Sequence, residues 1–380
     1  MRSEKRILTT HTGSLPRPDD LLEMVRAQES GQAVDQAAMA ARVRSAVAEV
    51  VKRQINTGID VVNDGEMSKP SYAHYVKDRL SGFKGERSRI PGAADLAEFR
   101  GFAKRSAGAI GLREVGSPGC NGPIEYQGAQ AAGADIANLT AALGSEKSRG
   151  FLTAASPGVI SFFLGDAFYN DHEKYLFALA DAMKTEYQAI CNAGLTLQVD
   201  CPDLAMSRHI HYKDKTLAEF RKIVEMHVEA LNHALSGIAP EQVRIHLCWG
   251  NYEGPHHHDV ALRDIIDIVL KARAGAISYE AANPRHEHEW EVFSKVKLPD
   301  GKTLIPGVID SVSNFIEHPE LIAQRLCRVA DLVGRENVMA GTDCGFGTVG
   351  VSRVDGEIAW AKLRAMADGA RLASDRLWRS

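Results

Sequence analysis

The stretch Ile245–Val260, IHLCWGNYEGPHHHDV, puts one cysteine and four histidines within sixteen residues. Imidazole and thiol are the ligands of borderline metals, so its first question is whether it binds one. His246 and Cys248 lie two apart in the apolar run QVRIHLC, a spacing that puts both side chains on one face of a strand. Glu280 closes the run GAISYE 32 residues later, and Cys344 follows 64 residues after that in GTDCGFG. A strand–helix unit takes roughly thirty residues, so these gaps are about one and two units, and the four residues can meet at one rim from three strands. Two thiols, an imidazole and a carboxylate suit Zn2+. The carboxylate is the harder, more exchangeable ligand. It leaves a place for a substrate thiol, which loses its proton more readily on zinc. His-x-Cys is equally the pattern of a buried cysteine beside a hydrogen-bonded histidine, and spacing leaves both readings open. The triplet His256–His258 reads differently. Three adjacent residues cannot all face one ion, so the segment is expected to be a loop and helix start with Asp259 near the N-cap, with one of the three left open as a pocket residue. PRHEHEW (284–290) is expected to be a polar helix face.

The elements that must position these residues alternate. Eight apolar runs read as strands: RILTTH, GIDVVND, GVISFF, LTLQVD, QVRIHLC, GAISYE, TLIPGVID and NVMAGTD. Helix-length patterns with three- and four-residue apolar steps lie between most of them, among them LAEFRKIVEMHVEALNHAL, LRDIIDIVLKARA and LIAQRLCRVADLV. Strand–helix repetition implies a parallel sheet, and eight strands imply an α/β fold closed as a single (β/α)8 TIM barrel over residues 1–380. Residues 81–149 break the rhythm and are expected to be a long excursion after the second strand. REVGSPGC (113–120) is a ninth strand or part of a hairpin there. The strand ends collect His11, Asp64–Glu66, Asp200–Cys201, His246–Cys248, Glu280, Asp310 and Asp343–Cys344, the rim where barrels carry their chemistry.

Net charge is −4 and no run approaches eighteen apolar residues, so neither a nucleic-acid partner nor a membrane span is expected. The N-terminal residues do not resemble a signal peptide, and the six cysteines lack a disulfide-framework spacing; both point to a cytoplasmic protein with free or ligating thiols. Oligomeric state is not legible.

At these residues the sequence resembles the catalytic barrel of the cobalamin-independent methionine synthase family, from HTGSLPRP to GTDCGFGT. The resemblance implies zinc held by His246, Cys248, Glu280 and Cys344. HTGS resembles that family's substrate-carboxylate strand end and places Ser14 there; NDGE and VDCP place Glu66 and Asp200 at the homocysteine ammonium. Asp310 is then a candidate catalytic, proton-handling group. The implied reaction is S-methylation of homocysteine to methionine. Two departures bear on the donor. Val312 in GVIDSVSN stands where the family has a histidine able to protonate a departing folate nitrogen, which a valine cannot do. Cys201 replaces a glutamate. Short single-barrel relatives include epoxyalkane:coenzyme M transferase, whose zinc thiolate opens an epoxide. That alternative suits Val312, but coenzyme M brings a sulfonate and no ammonium; Arg17 and Lys69 are the cations such a substrate would want. A metal-free uroporphyrinogen-decarboxylase-like barrel and a non-catalytic zinc- or thiol-binding protein are the remaining readings.

Overall fold

The computed structural model describes residues 2–88, 90–106, 117–347 and 353–378. Its strands are β1 (Leu8–Thr9), β2 (Arg87–Ser88), β3 (Ser117–Pro118), β4 (Phe151–Ala155), β5 (Thr196–Asp200), β6 (Val243–Leu247), β7 (Ala276–Tyr279), β8 (Thr303–Ile309) and β9 (Met339–Thr342). Seven form a parallel sheet in the order β1-β9-β8-β7-β6-β5-β4. The segment around Val62 closes the ring. Val61 donates to Thr9 O on one side, while Val62 and Phe151 exchange main-chain bonds with Arg149 and Val62 on the other. The expected barrel is therefore present, with its second stave reduced to an isolated bridge. β4, β6 and β8 are buried along their whole length, as staves covered on both faces are.

The helices follow from local signals. Gln36–Thr57 starts where Asp35 accepts from Ala37 N and Ala38 N, and stops at Gly58, whose φ of 97° belongs to the left-handed region. Leu217–Ala234 opens with a Thr216/Glu219 capping box and buries Phe220, Val224, His227, Val228 and Leu231 at helical spacing.

Several expectations need correction. GVISFF is no strand: Ser156 accepts from Val159 N and Pro157 takes the first turn, so Pro157–Phe163 is a helix and the true strand lies upstream in FLTAA. LRDIIDIVLKARA yields only a 3-10 turn, Leu262–Asp264, and a four-residue helix, Ile266–Val269. Within 81–149, β2 and β3 pair antiparallel with the helices Ala94–Glu98 and Arg100–Ser106 between them in sequence, and Ala129–Leu143 is a regular helix packed on Gln36–Thr57. Of REVGSPGC, residues 113–116 lie outside the described set. PRHEHEW is not a polar face, since His286 and Glu289 are both buried.

Candidate metal and substrate site

β6 points Arg244 and His246 inward, and Cys248 continues that face one step past the strand end. Arg244 fixes the layer beneath. It donates to Gln198 Oε1 (2.8 Å), Thr10 Oγ1 (2.8 Å) and His11 O (2.7 Å). Above it, His246 Nδ1 meets Ser278 Oγ at 3.1 Å, which leaves Nε2 facing Cys344 Sγ at 3.7 Å. The sulfurs of Cys248 and Cys344 are 3.2 Å apart, and Glu280 Oε1 is 3.7 Å from Cys344 Sγ. Residues from β6, β7 and β9 do converge.

The donor set fits a metal. A tetrahedral zinc with sulfur and nitrogen ligands has edges of roughly 3.5–3.8 Å, close to two of these separations; the sulfur pair is shorter, one thiol hydrogen-bonding the other. Burial, with Arg244 second, depresses His246 to about 3, so its imidazole is neutral, as a ligand must be. The Cys344 hydrogen bond pulls the Cys248 thiol down, but burial and Glu280 raise it to about 11; Cys344 is pushed up by Cys248 and by burial. Two such thiols stay protonated unless a cation replaces their protons. Within the described residues, His246, Cys248 and Cys344 form a compact ligand group, with Glu280 at its edge. Glu280 is held there: Oε1 accepts from Trp249 N (2.7 Å) and Oε2 from Asn283 Nδ2 (2.9 Å).

Asp343, in the same turn as Cys344, organises this edge. Its carboxylate accepts from the main-chain N–H groups of Ala281, Ala282 and Asn283 and from Asn283 Nδ2. Burial and the nearby Glu280 raise it to about 7. A Cβ on Gly307 would lie 2.0 Å from Asp343 Oδ1, so only glycine admits this carboxylate. Sequence reasoning gave Asp343 a place at a strand end but no role, and missed Ser278 and Asn283. Their one signal was adjacency to Glu280: two before, and three after.

Across the barrel mouth stand the acids. Glu66, at a left-handed φ of 56°, takes a 3.0 Å hydrogen bond from Thr153 Oγ1. Asp200 Oδ1 accepts from Gln198 Nε2 at 2.7 Å. Both are buried. Burial raises Glu66 despite Lys69 and Arg17, and burial, then Glu66's charge, raises Asp200 well above the carboxylate range. The nearby cations donate to carbonyls: Lys69 Nζ to Thr153 O (2.5 Å), Arg17 Nη2 to Glu66 O (2.5 Å) and Lys69 O (2.6 Å). Ser14 lies against the Cys344 turn, where Gly347 N donates to its Oγ at 3.3 Å and Phe346 N to its carbonyl at 2.8 Å. The Tyr72 phenol, unmentioned in the sequence reading, is raised well above its usual range by burial and then by Cys248 and Asp200.

Asp310 is engaged in its own loop. Oδ1 accepts from Val312 N (3.0 Å) and Ser313 N (2.7 Å), and Oδ2 from Ser313 Oγ (2.7 Å). His11 Nε2 is bonded to Gln54 Oε1 at 2.7 Å, so it braces the helix layer. The histidine triplet divides. Asp259 is no N-cap, because the next helical turn is preceded by Ala261. Instead it faces His209, His256 and His286, each at 3.1 Å. His257 and His258 turn outward to Glu98.

A family model described as "Cobalamin-independent synthase, Catalytic domain" matches residues 7–90 and 125–372. The chain belongs to the cobalamin-independent methionine synthase family. Members are methyltransferases, and this chain is an enzyme of that family. The methionine synthase of Sulfolobus acidocaldarius is 26% identical over 371 residues, 97% of this chain and 93% of that protein. That of Saccharolobus solfataricus is 24% identical, covering 98% and 96%. Among solved structures, a B12-independent methionine synthase from Shewanella sp. W3-18-1, in complex with selenomethionine, superposes with a TM-score of 0.75 at 20% identity, covering 99% of this chain and all of that one. A putative vitamin-B12 independent methionine synthase from Listeria monocytogenes gives 0.63 at 16%, covering 96% and 98%. At these identities the structures speak for the fold, which they share with this family member. The gap in the family match, 91–124, falls in the excursion. No helix among the described residues is long and apolar enough to cross a membrane.

Proposed function

We propose that the chain, taken over 1–380 as one catalytic barrel, is a zinc-dependent thiol alkyltransferase that methylates homocysteine to methionine. His246, Cys248 and Cys344 would hold Zn2+ permanently, with Glu280 as the exchangeable ligand. When bound, zinc lowers the pKa of a substrate thiol so that it attacks as thiolate. The remaining work belongs to the protein. Ser278 fixes the imidazole tautomer of His246, and Asn283 with Trp249 N holds Glu280 beside the cluster. Ser14, with the main-chain N–H of Gly347 beside it, receives the substrate carboxylate.

The observation that carries homocysteine is the pair Glu66 and Asp200. Two buried carboxylates whose hydrogen-bond partners are neutral make a site for an ammonium. A sulfonate there would meet two acidic side chains, which disfavours coenzyme M. Asp310 is assigned to shaping the loop that bears Val312, acting on the alkyl donor through that loop. With Val312 in place of an acid, we assign a donor whose leaving group departs without protonation from that position. We further assign the chain to the cytoplasm.

The deciding experiment measures proton release on adding homocysteine or coenzyme M to the zinc-loaded protein. Release with homocysteine alone is expected; release with coenzyme M alone would reverse the substrate assignment.

A further inference from the structure

Outside the barrel mouth, the loop after β6 and the excursion meet at a second group of ligating side chains. His257 Nε2 lies 2.9 Å from Glu98 Oε2, and His258 Nε2 contacts Glu98 Oε1. The two imidazoles are neighbours, with ring centroids 4.2 Å apart and planes tilted by 39°. Three ligand atoms, one from each residue, all fall within 4.8 Å of one another. The backbone arranges this: His256 has a φ of 52°, a left-handed turn that sends its own ring inward to Asp259 and leaves the next two facing the same carboxylate.

An ordinary ion pair needs one histidine, not two. Here two imidazole nitrogens converge on the two oxygens of one carboxylate, one ligand atom more than a single pair uses. A divalent ion would engage all three side chains at once. The group is partly exposed, at 36%, 42% and 53% of the side chain, leaving room for water ligands. Its nitrogen and oxygen donors, without sulfur, suit a late first-row ion such as Zn2+ or Ni2+.

We propose that Glu98, His257 and His258 form a second, solvent-accessible divalent-metal site that clamps the excursion helix Ala94–Glu98 onto the loop after β6. The same junction is already tied by Asp95, which accepts from His256 N at 3.0 Å and from the Tyr252 hydroxyl, so the clamp closes a preformed contact. That loop begins at Cys248 and carries Trp249, whose N–H holds Glu280, so the clamp acts one loop away from the thiol cluster. This inference does not rest on the proposed reaction: the ligands differ, and either can fail without the other.

The test titrates the full chain, its tight metal site already filled, with Zn2+ and separately with Ni2+, following heat. The expected result is one further equivalent of weaker affinity. It should weaken at least roughly tenfold in His257→Ala and in His258→Ala, and in Glu98→Gln by less. Hydrogen exchange of residues 94–98 should slow on adding the ion in the parent protein and not in the variants. An anomalous peak between the three side chains would fix the position. Absence of a further saturable equivalent up to millimolar ion, or an unchanged one in the His257→Ala/His258→Ala double variant, overturns the proposal and leaves an exposed ion pair only.

Discussion

Two histidine-bearing segments lie ten residues apart and behave oppositely. In β6, His246 and Cys248 follow an extended backbone and meet side chains from 32 and 96 residues downstream in a buried cluster. In the loop that follows, three consecutive histidines part company, one turning inward to Asp259 and two outward to Glu98. The sparser pattern makes the tighter site. A strand fixes which residues share a direction; a loop does not, and its side chains go where partners from elsewhere in the fold draw them.

The sharpest break between the segments is metal retention. Cys248→Ser and Cys344→Ser should each lose tight zinc and alkyl transfer, while His257→Ala keeps both. Zinc per chain after dialysis against a strong chelator checks this, and equal content in all three would erase the distinction.

The opposite side of the mouth gives the next effect. Glu66→Gln and Asp200→Asn should weaken homocysteine binding by about 2–5 kcal/mol, the usual loss for truncating a buried charge pair, yet leave a thiol without the amino group nearly unaffected. Binding isotherms for the two thiols test it; a parallel loss for both would remove the ammonium from the account.

A smaller effect is expected at Asn283. Asn283→Ala frees one oxygen of Glu280, so the thiol should compete with that carboxylate on altered terms, changing its affinity by roughly tenfold. Cobalt-substituted protein reports the ligand set directly through its visible spectrum, and an unchanged spectrum and affinity would mean Asn283 holds nothing.

The least effect, on stability, tests the inward half of the histidine loop. Asp259 and Glu289 raise His286 to about 10 from 6.5 against the cost of burial. A raised histidine contributes stability that is complete below pH 6.5 and lost as the pH climbs through about 10. Denaturant midpoints of the parent should therefore fall across that window, and the slope should flatten in His286→Gln.

The sequence by itself determined the alternation of strands and helices, because apolar periodicity and capping residues act over a few positions. It also determined the rim residues His246, Cys248, Glu280 and Cys344, because each ends a strand and strand ends of a barrel share one face. It misread GVISFF, where Ser156–Pro157 capping outweighs β-branched content, and it could not place a stave as short as the one at Val62, which exists only through its neighbours' hydrogen bonds. Only the tertiary structure decided that Asp310 is engaged by the Val312–Ser313 loop and that Asp259 gathers three histidines. Those outcomes depend on which distant side chain reaches a given donor first, and contacts across the barrel leave no periodic trace along the chain.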